Sequence, residues 1–222
     1  MKTLAIYCAG GLGKEIYDLA ERSKKYAKIF FVDDAIIDKT FYKAEVRKIE
    51  SIKPSTDLEF AIANGEPFVR QMLQQKVEQM GFKLATIVDA TAIVSKTAEL
   101  DNGVLVNANC FVSSNVVIGK NTYLQQLCTL GHDAEVGANS VISSLVQVSG
   151  GCKIADVVYV GAGSVVREKV SVGFGSVVGM GSFVHKDVKE LAVVYGNPAK
   201  FIRDNKSQRV FNKKQNVCEV VK

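Results

Sequence analysis

The feature that most restricts the fold of this chain is an aliphatic residue at every sixth position from Val88 to Val184. All seventeen residues in this series are Leu, Ile or Val, with no insertion between them. A period of six matches neither the 3.6 residues of an α-helix nor the two-residue alternation of a flat strand. It matches a coil of short strands and regular corners with the aliphatic side chains inside. The sequence therefore predicts a parallel β-helix over residues 88–189.

The other positions of the hexad support this interpretation. The fifth residue is always small or β-branched, as expected for a side chain that fits inside a corner. Cys110, Cys128 and Cys152 occupy fifth positions, which predicts small buried side chains and not catalytic thiols. Second positions are often glycine, which we expect to provide tight or left-handed backbone. The five cysteines form no CxxC pair, so we expect neither a disulfide framework nor a zinc cluster.

A strand, a glycine turn and a helix open the chain. The predicted strand covers residues 3–8, and the turn Ala9-Gly-Gly-Leu-Gly-Lys14 leads into a helix that ends near residue 25. Such a turn presents free backbone N–H groups and the positive end of a helix to a phosphate. Ile16 stands where the dinucleotide fingerprint requires its last glycine, so an NAD-dependent enzyme is the disfavoured alternative.

Two more predicted strands end in polar residues. Residues 29–32 end at Asp33-Asp34, and residues 58–63 end at Asn64. A helix then begins at Pro67 and stops at Gly81, and a fourth strand over residues 84–88 leads into the repeat. This order predicts a small parallel sheet, and so a Rossmann-like domain over residues 1–87. Its ligand would lie where Gly10, Gly11, Asp33 and Asn64 converge; alternatively, these residues only form turns.

The hexads resemble the left-handed β-helix of the hexapeptide-repeat acyltransferases. The segment Tyr195-Gly-Asn-Pro-Ala-Lys200 is similar to the G-N-P-A-K exit from the helix in that family. With the first domain in front, residues 3–203 resemble the sialic acid O-acetyltransferase and nucleotide-amino-sugar N-acetyltransferase family, which includes the enzyme acetylating UDP-4-amino sugars for bacillosamine synthesis. The resemblance implies a mixed fold, a small Rossmann-like α/β domain followed by a left-handed parallel β-helix, with residues 190–222 as a C-terminal tail.

The resemblance also implies an activity. Family members are homotrimers with active sites between subunits, and they use acetyl-CoA. The implied reaction is N-acetylation of a nucleotide-linked 4-amino-4,6-dideoxy sugar in the cytoplasm, for bacterial surface glycans such as the lipopolysaccharide O-antigen. O-acetylation of a sialic-acid-like sugar and a non-catalytic scaffold that binds a nucleotide sugar remain alternatives. In the family the first domain holds the nucleotide, which here implies contacts from Ala9, Gly10, Gly11, Leu12, Gly13, Asp33 and Asp34.

His132 is the candidate general base. It is the third residue of its hexad, a position that points outwards, and Asp133 stands beside it. Acetyl transfer to an amine needs a base for the ammonium proton, which an imidazole supplies near neutral pH. The pair matches the catalytic H-D or H-E of the family, with Asp133 as the partner of His132. His185, the only other histidine, is predicted at a rim, and two histidines cannot supply the three-His zinc site of carbonic anhydrases with this fold.

Gly150 is the candidate oxyanion donor. It lies eighteen residues after His132, one coil if a coil holds three hexads, and the family places a glycine amide there. A relative often carries a second histidine nine residues after the first, where this chain has Val141. This departure leaves the exact substrate and the acceptor atom open. Small residues are predicted to form a surface along which pantetheine lies; they are Gly150, Gly151, Ala162, Gly163, Gly179 and Gly181. Lys200 and Arg203 are predicted to bind the CoA phosphates.

The charge distribution argues against nucleic acid. The net charge of +5 divides into +2 for residues 1–87, −1 for residues 88–189 and +4 for residues 190–222. The excess lies in the tail, which carries no RNA-recognition pattern. No apolar run approaches the roughly 20 residues that a bilayer requires, and no cleavable signal opens the chain. We therefore expect a soluble protein without a membrane or nucleic-acid partner.

Overall fold

The computed structural model describes residues 2–36 and 39–211 of the chain. An α/β domain comes first and a β-helix of short parallel strands follows, so the predicted fold class is confirmed. No helix in the described ranges is long and apolar enough to cross a membrane.

The sheet of the first domain has the order β3-β4-β2-β1-β5-β6. All neighbours in it are parallel except β3 and β4, which form a hairpin that the sequence analysis did not predict. Tyr7 lies opposite both Val32 and Ile62, so three strands end at one edge. The strands are β1 (Lys2–Tyr7), β2 (Tyr26–Val32), β3 (Thr40–Phe41), β4 (Ala44–Arg47), β5 (Leu58–Ile62) and β6 (Lys83–Leu84), and the helices are α1 (Gly11–Ser23) and α2 (Pro67–Gln79).

The predicted fourth strand over residues 84–88 is in fact two strands in two sheets. Lys83–Leu84 pairs with β5, whereas Ile87–Val88 begins the β-helix. The backbone N–H of Ala85 still donates to Phe60 in the first domain, and that of Ile87 donates to Val104 in the coil. The two ends of the predicted strand therefore belong to different sheets, a change of partner that the sequence does not reveal.

The β-helix has three walls built from two-residue strands. Strands of successive coils pair in parallel at a spacing of eighteen residues, as from Thr129 to Gln147. The first wall contains Ile87–Val88, Leu105–Val106, Tyr123–Leu124, Val141–Ile142, Tyr159–Val160 and Val177–Val178. The second contains Ile93–Val94, Phe111–Val112, Thr129–Leu130, Gln147–Val148, Val165–Val166 and Phe183–Val184. The third contains Glu99–Leu100, Val117–Ile118, Glu135–Val136, Lys153–Ile154 and Ser171–Val172.

The predicted periodicity of the core is observed. The first residue of every hexad from Val106 onwards is buried, and so are Cys110, Cys128 and Cys152 at fifth positions. The first three aliphatic residues, Val88, Val94 and Leu100, are half-buried because they form the open first coil.

The expected role of the second-position glycines is wrong in one respect. Left-handed backbone occurs at fourth positions, as at Asn115 and Asp133, where a short polar side chain tolerates it. Second-position glycines are needed because successive coils approach each other closely there. A Cβ on Gly131 would lie 2.5 Å from the backbone nitrogen of Gly150.

The first domain packs against the first wall. The outward-facing residues of this wall belong to the same buried cluster as the domain core; they are Leu105, Tyr123, Val141, Tyr159 and Val177. After the last coil, the strands Ala192–Tyr195 and Lys200–Asp204 extend the first wall. The chain then returns to the first domain, where Val210 and Phe211 contact Glu66.

Candidate functional site

His132 lies on the corner that follows the second wall, with its side chain in the open. Its Nδ1 is 2.7 Å from Oδ2 of Asp133. The two neighbours can meet because Asp133 has a φ of 58°, which turns its side chain back along the corner. An imidazole held at Nδ1 by a carboxylate presents Nε2 as its free nitrogen, which is the arrangement a general base requires.

The Asp133 carboxylate is itself held on the next lower coil. Nδ2 of Asn115 donates to Oδ1 of Asp133 at 3.0 Å. The hydrogen bond with His132, followed by that from Asn115, lowers the pKa of Asp133 below its ordinary value. Asp133 is therefore ionised at neutral pH. Asn115, a fourth-position residue one coil from Asp133, was not singled out from the sequence, although the eighteen-residue spacing identifies it.

Gly150 lies against the His132 ring. A Cβ at Gly150 would lie 2.7 Å from Nε2 and 2.8 Å from Cε1 of His132, so only glycine leaves room for the ring in this position. The backbone N–H of Gly150 has no acceptor among the described residues, whereas that of Gly151 donates to the carbonyl of His132 at 2.9 Å. A free N–H beside a basic nitrogen is a suitable donor for an oxyanion.

Gly131 is a site residue that sequence reasoning missed. Its Cα faces the nitrogen of Gly150, and a side chain on Gly131 would cover that nitrogen. The signal was present, because Gly131 precedes His132 in a glycine-rich second position. Its role could not be inferred from the sequence, because it depends on which backbone atoms of the next coil lie close to Gly131.

The first domain and His132 lie on opposite sides of the β-helix. The domain covers the first wall, and the corner between the second and third walls is the one opposite to it. A side of six residues spans up to about 20 Å, at about 3.3 Å per residue. A ligand at the carboxyl edge of the domain sheet is therefore separated from His132 of the same chain by the whole coil.

The glycine turn begins helix α1 at the carboxyl edge of the sheet. Gly10 is the residue before the helix, and both Gly10 and Gly11 are so exposed that a Cβ on either would have no neighbour within 4 Å. Their N–H groups have no acceptor in the described part of the chain. Gly13 differs, since a Cβ there would lie 2.6 Å from the carbonyl oxygen of Cys8, and Leu12 is half-buried beside it. The turn can thus accept an anion at Gly10 and Gly11.

Asp33 and Asp34, which directly follow β2, accept hydrogen bonds from neighbouring groups of the protein at this edge. Asp33 is buried, and its carboxylate accepts the N–H groups of Ala9, Ala35 and Ile36. It therefore fixes the glycine turn through the backbone of Ala9. These hydrogen bonds shape the turn.

Asp34 has a similar set of protein partners. It accepts hydrogen bonds from the Tyr7 hydroxyl, the Lys76 ammonium and the Ile49 N–H. Burial by itself would raise the pKa of Asp34, but these hydrogen bonds outweigh it and lower the pKa below its ordinary value. An ionised Asp34 thus connects β1, α2 and the turn at Ile49.

Asn64 lies at the end of β5 beside the glycine turn. Its Nδ2 is 3.7 Å from Sγ of Cys8, and Cys8 has a φ of 83°, a rare conformation for a side chain of this kind. The carbonyl of Asn64 accepts a hydrogen bond from Arg70 at 3.0 Å. The structure thus brings Gly10, Gly11, Asp33 and Asn64 to one edge, as the sequence predicts.

Arg70 is a buried cation that sequence reasoning missed. It is completely buried between the first domain and the β-helix, and its partners are the carbonyls of Ile62 and Asn64 and both oxygens of Asn121. Burial lowers its pKa to about 10, so it is protonated at neutral pH. It fixes the end of β5 to a corner of the β-helix.

The residues predicted to contact CoA occupy two corners. Gly150 and Gly151 share the corner of His132, whereas Ala162, Gly163, Gly179 and Gly181 line the corner between the first and second walls, on higher coils. Lys200 and Arg203 lie exposed on the last strand of the first wall. A shallow trough of about 550 Å³ runs along the third wall beside Glu135 and Lys153, and it does not include the four small residues.

Two further predicted positions have clear surroundings. Val141 is completely buried in the cluster between the first wall and the first domain, so it cannot reach a ligand in the open. His185 lies on the last coil at the same corner as His132, with its ring stacked on Phe183 at 6.0 Å. Among the described residues, no three His, Cys, Asp or Glu side chains cluster in a way that could hold a metal ion.

Residues 3–77 match the family described as the PglD N-terminal domain. This match lies within the first domain of the chain. Over most of its length the chain is also similar to solved structures. WeeI from Acinetobacter baumannii is 25% identical with a TM-score of 0.73, and the match covers 91% of this chain and 100% of WeeI.

Two other solved structures were obtained with ligands. The acetyltransferase domain of PglB from Neisseria gonorrhoeae, in complex with acetyl coenzyme A, is 25% identical with a TM-score of 0.64; the match covers 90% of this chain and 99% of that one. A variant of perosamine N-acetyltransferase from Caulobacter crescentus, in complex with CoA and GDP-perosamine, is 22% identical with a TM-score of 0.73; the match covers 92% and 98%. The predicted resemblance to hexapeptide-repeat N-acetyltransferases is confirmed.

Proposed function

We propose that this protein is an acetyl-CoA-dependent N-acetyltransferase that acts on the amino group of a nucleotide-linked amino sugar, as used in bacterial surface glycans. The observation that carries the proposal is the His132 ring, bound at Nδ1 by Asp133 and placed against Gly150, whose N–H is free. The similar structure with acetyl coenzyme A supports the choice of donor, and the fold shared with a perosamine N-acetyltransferase agrees with the choice of acceptor.

The chemistry follows from these two groups. Nε2 of His132 accepts a proton from the amino group as the nitrogen attacks the thioester carbonyl carbon. The carbonyl oxygen becomes an oxyanion and accepts a hydrogen bond from the N–H of Gly150. When the tetrahedral intermediate collapses, the C–S bond breaks and the CoA sulfur receives the proton from His132. The products are the acetamido sugar and CoA, and His132 is neutral again.

The acceptor would be held by the first domain. The exposed N–H groups of Gly10 and Gly11 at the start of α1 suit the diphosphate of a nucleotide sugar. Asp33 fixes the turn that presents them, through its bond to Ala9. In this role Asp33 and Asp34 shape the pocket while their carboxylates remain bound to the protein.

The site requires more than one copy of the chain. A sugar held by the first domain cannot reach His132 of the same chain, because the β-helix lies between them. A cyclic trimer would bring the acceptor and His132 together if the second walls face the symmetry axis. The His132 corner of one copy would then face the corner between the first and second walls of the next copy. That corner lies beside the first domain of the next copy and carries Ala162, Gly163, Gly179 and Gly181. Pantetheine would pass between these corners.

Exposed apolar side chains mark the surface that such a trimer would bury. Ile93 and Phe111 stack on the second wall, and Leu127 and Leu145 stack on the corner between the first and second walls. Leu145 and Ile93 are each more than half exposed, at 61% and 64%. Exposed apolar side chains on successive coils are typical of a protein interface.

The proposal is tested by measuring thiol release from acetyl-CoA. The acceptors are UDP-, GDP- and dTDP-linked 3-amino and 4-amino sugars, with free sialic acid included to detect O-acetylation. We expect thiol release with at least one amino sugar and a product whose mass corresponds to an acetamide. Turnover only with sialic acid would replace the proposal by O-acetylation. A chain that binds no acetyl-CoA would instead be a scaffold.

The role of His132 is tested by His132→Ala. We expect kcat to fall by about 10² to 10⁴, because a positioned general base contributes this much. Acetyl-CoA binding and the oligomeric state should be unchanged, since the exposed ring supports no other structure. His185→Ala, on the same corner but without an acidic neighbour in hydrogen-bond distance, is the matched control. Retention of more than about a tenth of kcat in His132→Ala would contradict the assignment.

A further inference from the structure

The end of the described chain returns to the carboxyl edge of the domain sheet. This edge, where Gly10, Gly11 and Asn64 lie and where the acceptor would bind, is called here the acceptor edge. The returning segment, Asn205–Phe211, is called here the C-terminal strap. It starts on the last coil, where the N–H of Asn205 donates to Leu191 at 2.6 Å and its Nδ2 donates to Gly175 at 3.0 Å. Oδ1 of Asn205 accepts the N–H of Arg209. Asn205 is 1% exposed, so this start is firmly fixed.

The other end of the strap is bound by Glu66. Its Oε2 accepts the N–H of Val210 and its Oε1 accepts that of Phe211, both at 2.8 Å. Glu66 is 5% exposed and stands directly before α2. A buried carboxylate that receives two backbone N–H groups fixes the backbone it binds. Since these bonds use both oxygens of Glu66, the carboxylate is committed to the strap.

Glu66 also belongs to the acceptor edge. Its own N–H donates to Oδ1 of Asn64 at 2.9 Å, and Asn64 lies beside Cys8 where the glycine turn begins. The strap therefore reaches the first domain two residues from a predicted ligand residue. The hydrogen bonds from Val210 and Phe211 to Glu66 join residues more than 140 positions apart in the chain.

Phe211 packs with one side of its ring and leaves the other open. The ring makes an edge-on contact with Tyr159 at 5.5 Å, and it would lie 3.6 Å from a Cβ placed on Gly65. Nevertheless 43% of the residue is exposed. Arg209 contributes a buried Nη1 for which the described residues offer no acceptor. The strap thus presents an exposed aromatic side chain beside the acceptor edge.

We propose that the C-terminal strap forms one wall of the acceptor site and that Phe211 packs against the nucleoside or sugar of the nucleotide-linked substrate. An aromatic face suits both groups, because bases and sugar rings stack on aromatic side chains. The inference rests on the proposed function for the identity of the acceptor. It assigns Phe211 to substrate specificity and leaves the acetyl-CoA side of the reaction untouched.

Two shortened chains test this wall, each otherwise unchanged. The first ends at Gln208 and loses the bonds to Glu66, and the second ends at Phe211 and keeps them. We expect the acceptor KM to rise about tenfold in the first chain and to stay at the full-length value in the second. The KM for acetyl-CoA should be the same in both. Phe211→Ala in the full chain should reproduce the higher acceptor KM even if the shorter chain proves unstable.

The outcomes separate this inference from the proposed function. Suppose that the full chain acetylates an amino sugar. If Phe211→Ala and the chain ending at Gln208 then both have the acceptor KM of the full chain, the C-terminal strap is not a wall of the acceptor site, and the proposed function stands. If the full chain has no transferase activity, the function fails, and calorimetric binding of UDP, GDP and dTDP to the same proteins tests the wall. Weaker nucleotide binding without residues 209–211 would support it, and equal binding or none would overturn it.

Discussion

The His132 ring is oriented by residues from three successive coils. Asn115 holds Asp133 from the coil below, Asp133 holds Nδ1 of His132, and Gly150 leaves room for the ring on the coil above. Because each coil repeats the backbone of the previous one, a side chain at a given hexad position always meets the same position eighteen residues on. The orientation of the base thus depends on small, exposed groups that add little to stability.

Asp133→Asn tests whether the carboxylate supports the base. We expect kcat to fall about tenfold, because the amide can retain a hydrogen bond to the ring but not the charge that stabilises the protonated imidazole. The lowered pKa of Asp133 keeps its carboxylate ionised at neutral and alkaline pH, so the deficit should persist from about pH 7.5 to pH 9. A deficit that disappears within this pH range would contradict the assignment.

Gly131 and Gly150 should respond differently to the same substitution. In Gly150→Ala the three atoms nearest the new Cβ belong to the exposed ring of His132, which can move, so kcat should fall about a hundredfold with an unchanged Tm. In Gly131→Ala the Cβ meets the backbone of Gly150 at 2.5 Å, and we expect a loss of about 1 to 3 kcal/mol in unfolding free energy. Thermal denaturation and steady-state kinetics on both variants check this, and an equal loss of Tm would be contrary to expectation.

At the scale of the elements, helix α2 connects the acceptor edge to the β-helix. Arg70 joins it to Asn121, and Phe68 makes an edge-on contact with Phe174 at 5.9 Å on a higher coil of the same corner. Glu66, just before the helix, receives the strap. Helix α2 therefore fixes the acceptor edge to more than one coil of the β-helix and determines its position relative to these coils.

Arg70→Met tests this connection. The substitution removes the donors to the carbonyls of Ile62, Asn64 and Asn121 and leaves them buried, so we expect a loss of about 3 kcal/mol or more in unfolding free energy. Arg167→Met is the control, because Arg167 is exposed and its side chain pairs only with Glu168 at 3.8 Å among the described residues. Chemical denaturation of both variants measures the difference. A similar small loss in both would mean that Arg70 does not support the interface.

At the scale of the whole molecule, the proposed mechanism depends on the placement of His132 opposite the first domain. The three walls give each copy one acceptor edge and one base on opposite sides of the coil. Neither group can serve the other within a single chain. The proposed trimer makes each active site from the base of one copy and the acceptor edge of the next.

Mixing two inactive variants tests this arrangement. His132→Ala lacks the base, and Gly11→Asp places a negative charge where the diphosphate would bind, in open space that tolerates the side chain. In trimers assembled from equal amounts of both, about a quarter of the sites combine an intact base with an intact acceptor edge. We expect about a quarter of the wild-type rate after refolding or co-expression, and essentially none from either variant alone. No recovery in verified mixed trimers would exclude a shared site.

Much of the fold could be predicted because the hexad is periodic. The run of aliphatic residues from Val88 to Val184 established the core, and the register then assigned directions to His132 and Gly150. Side chains at equal hexad positions point the same way, so an interval of eighteen residues is equivalent to a contact. The glycine turn and the strand ends at Asp33 and Asn64 were also visible, since parallel strands bring their carboxyl ends to one edge.

The β-helix, its register and the contact of His132 with Gly150 thus follow from the amino-acid sequence, because a repeating local pattern encodes them. Three features became known only from the folded chain: the wall that the first domain covers, the binding of Arg70 to Asn121 from 51 residues away, and the return of Phe211 to Glu66. Such contacts join single residues far apart in the chain and belong to no period. They depend on how two separately formed units fit together, and they place the base and the acceptor edge on opposite sides of the molecule.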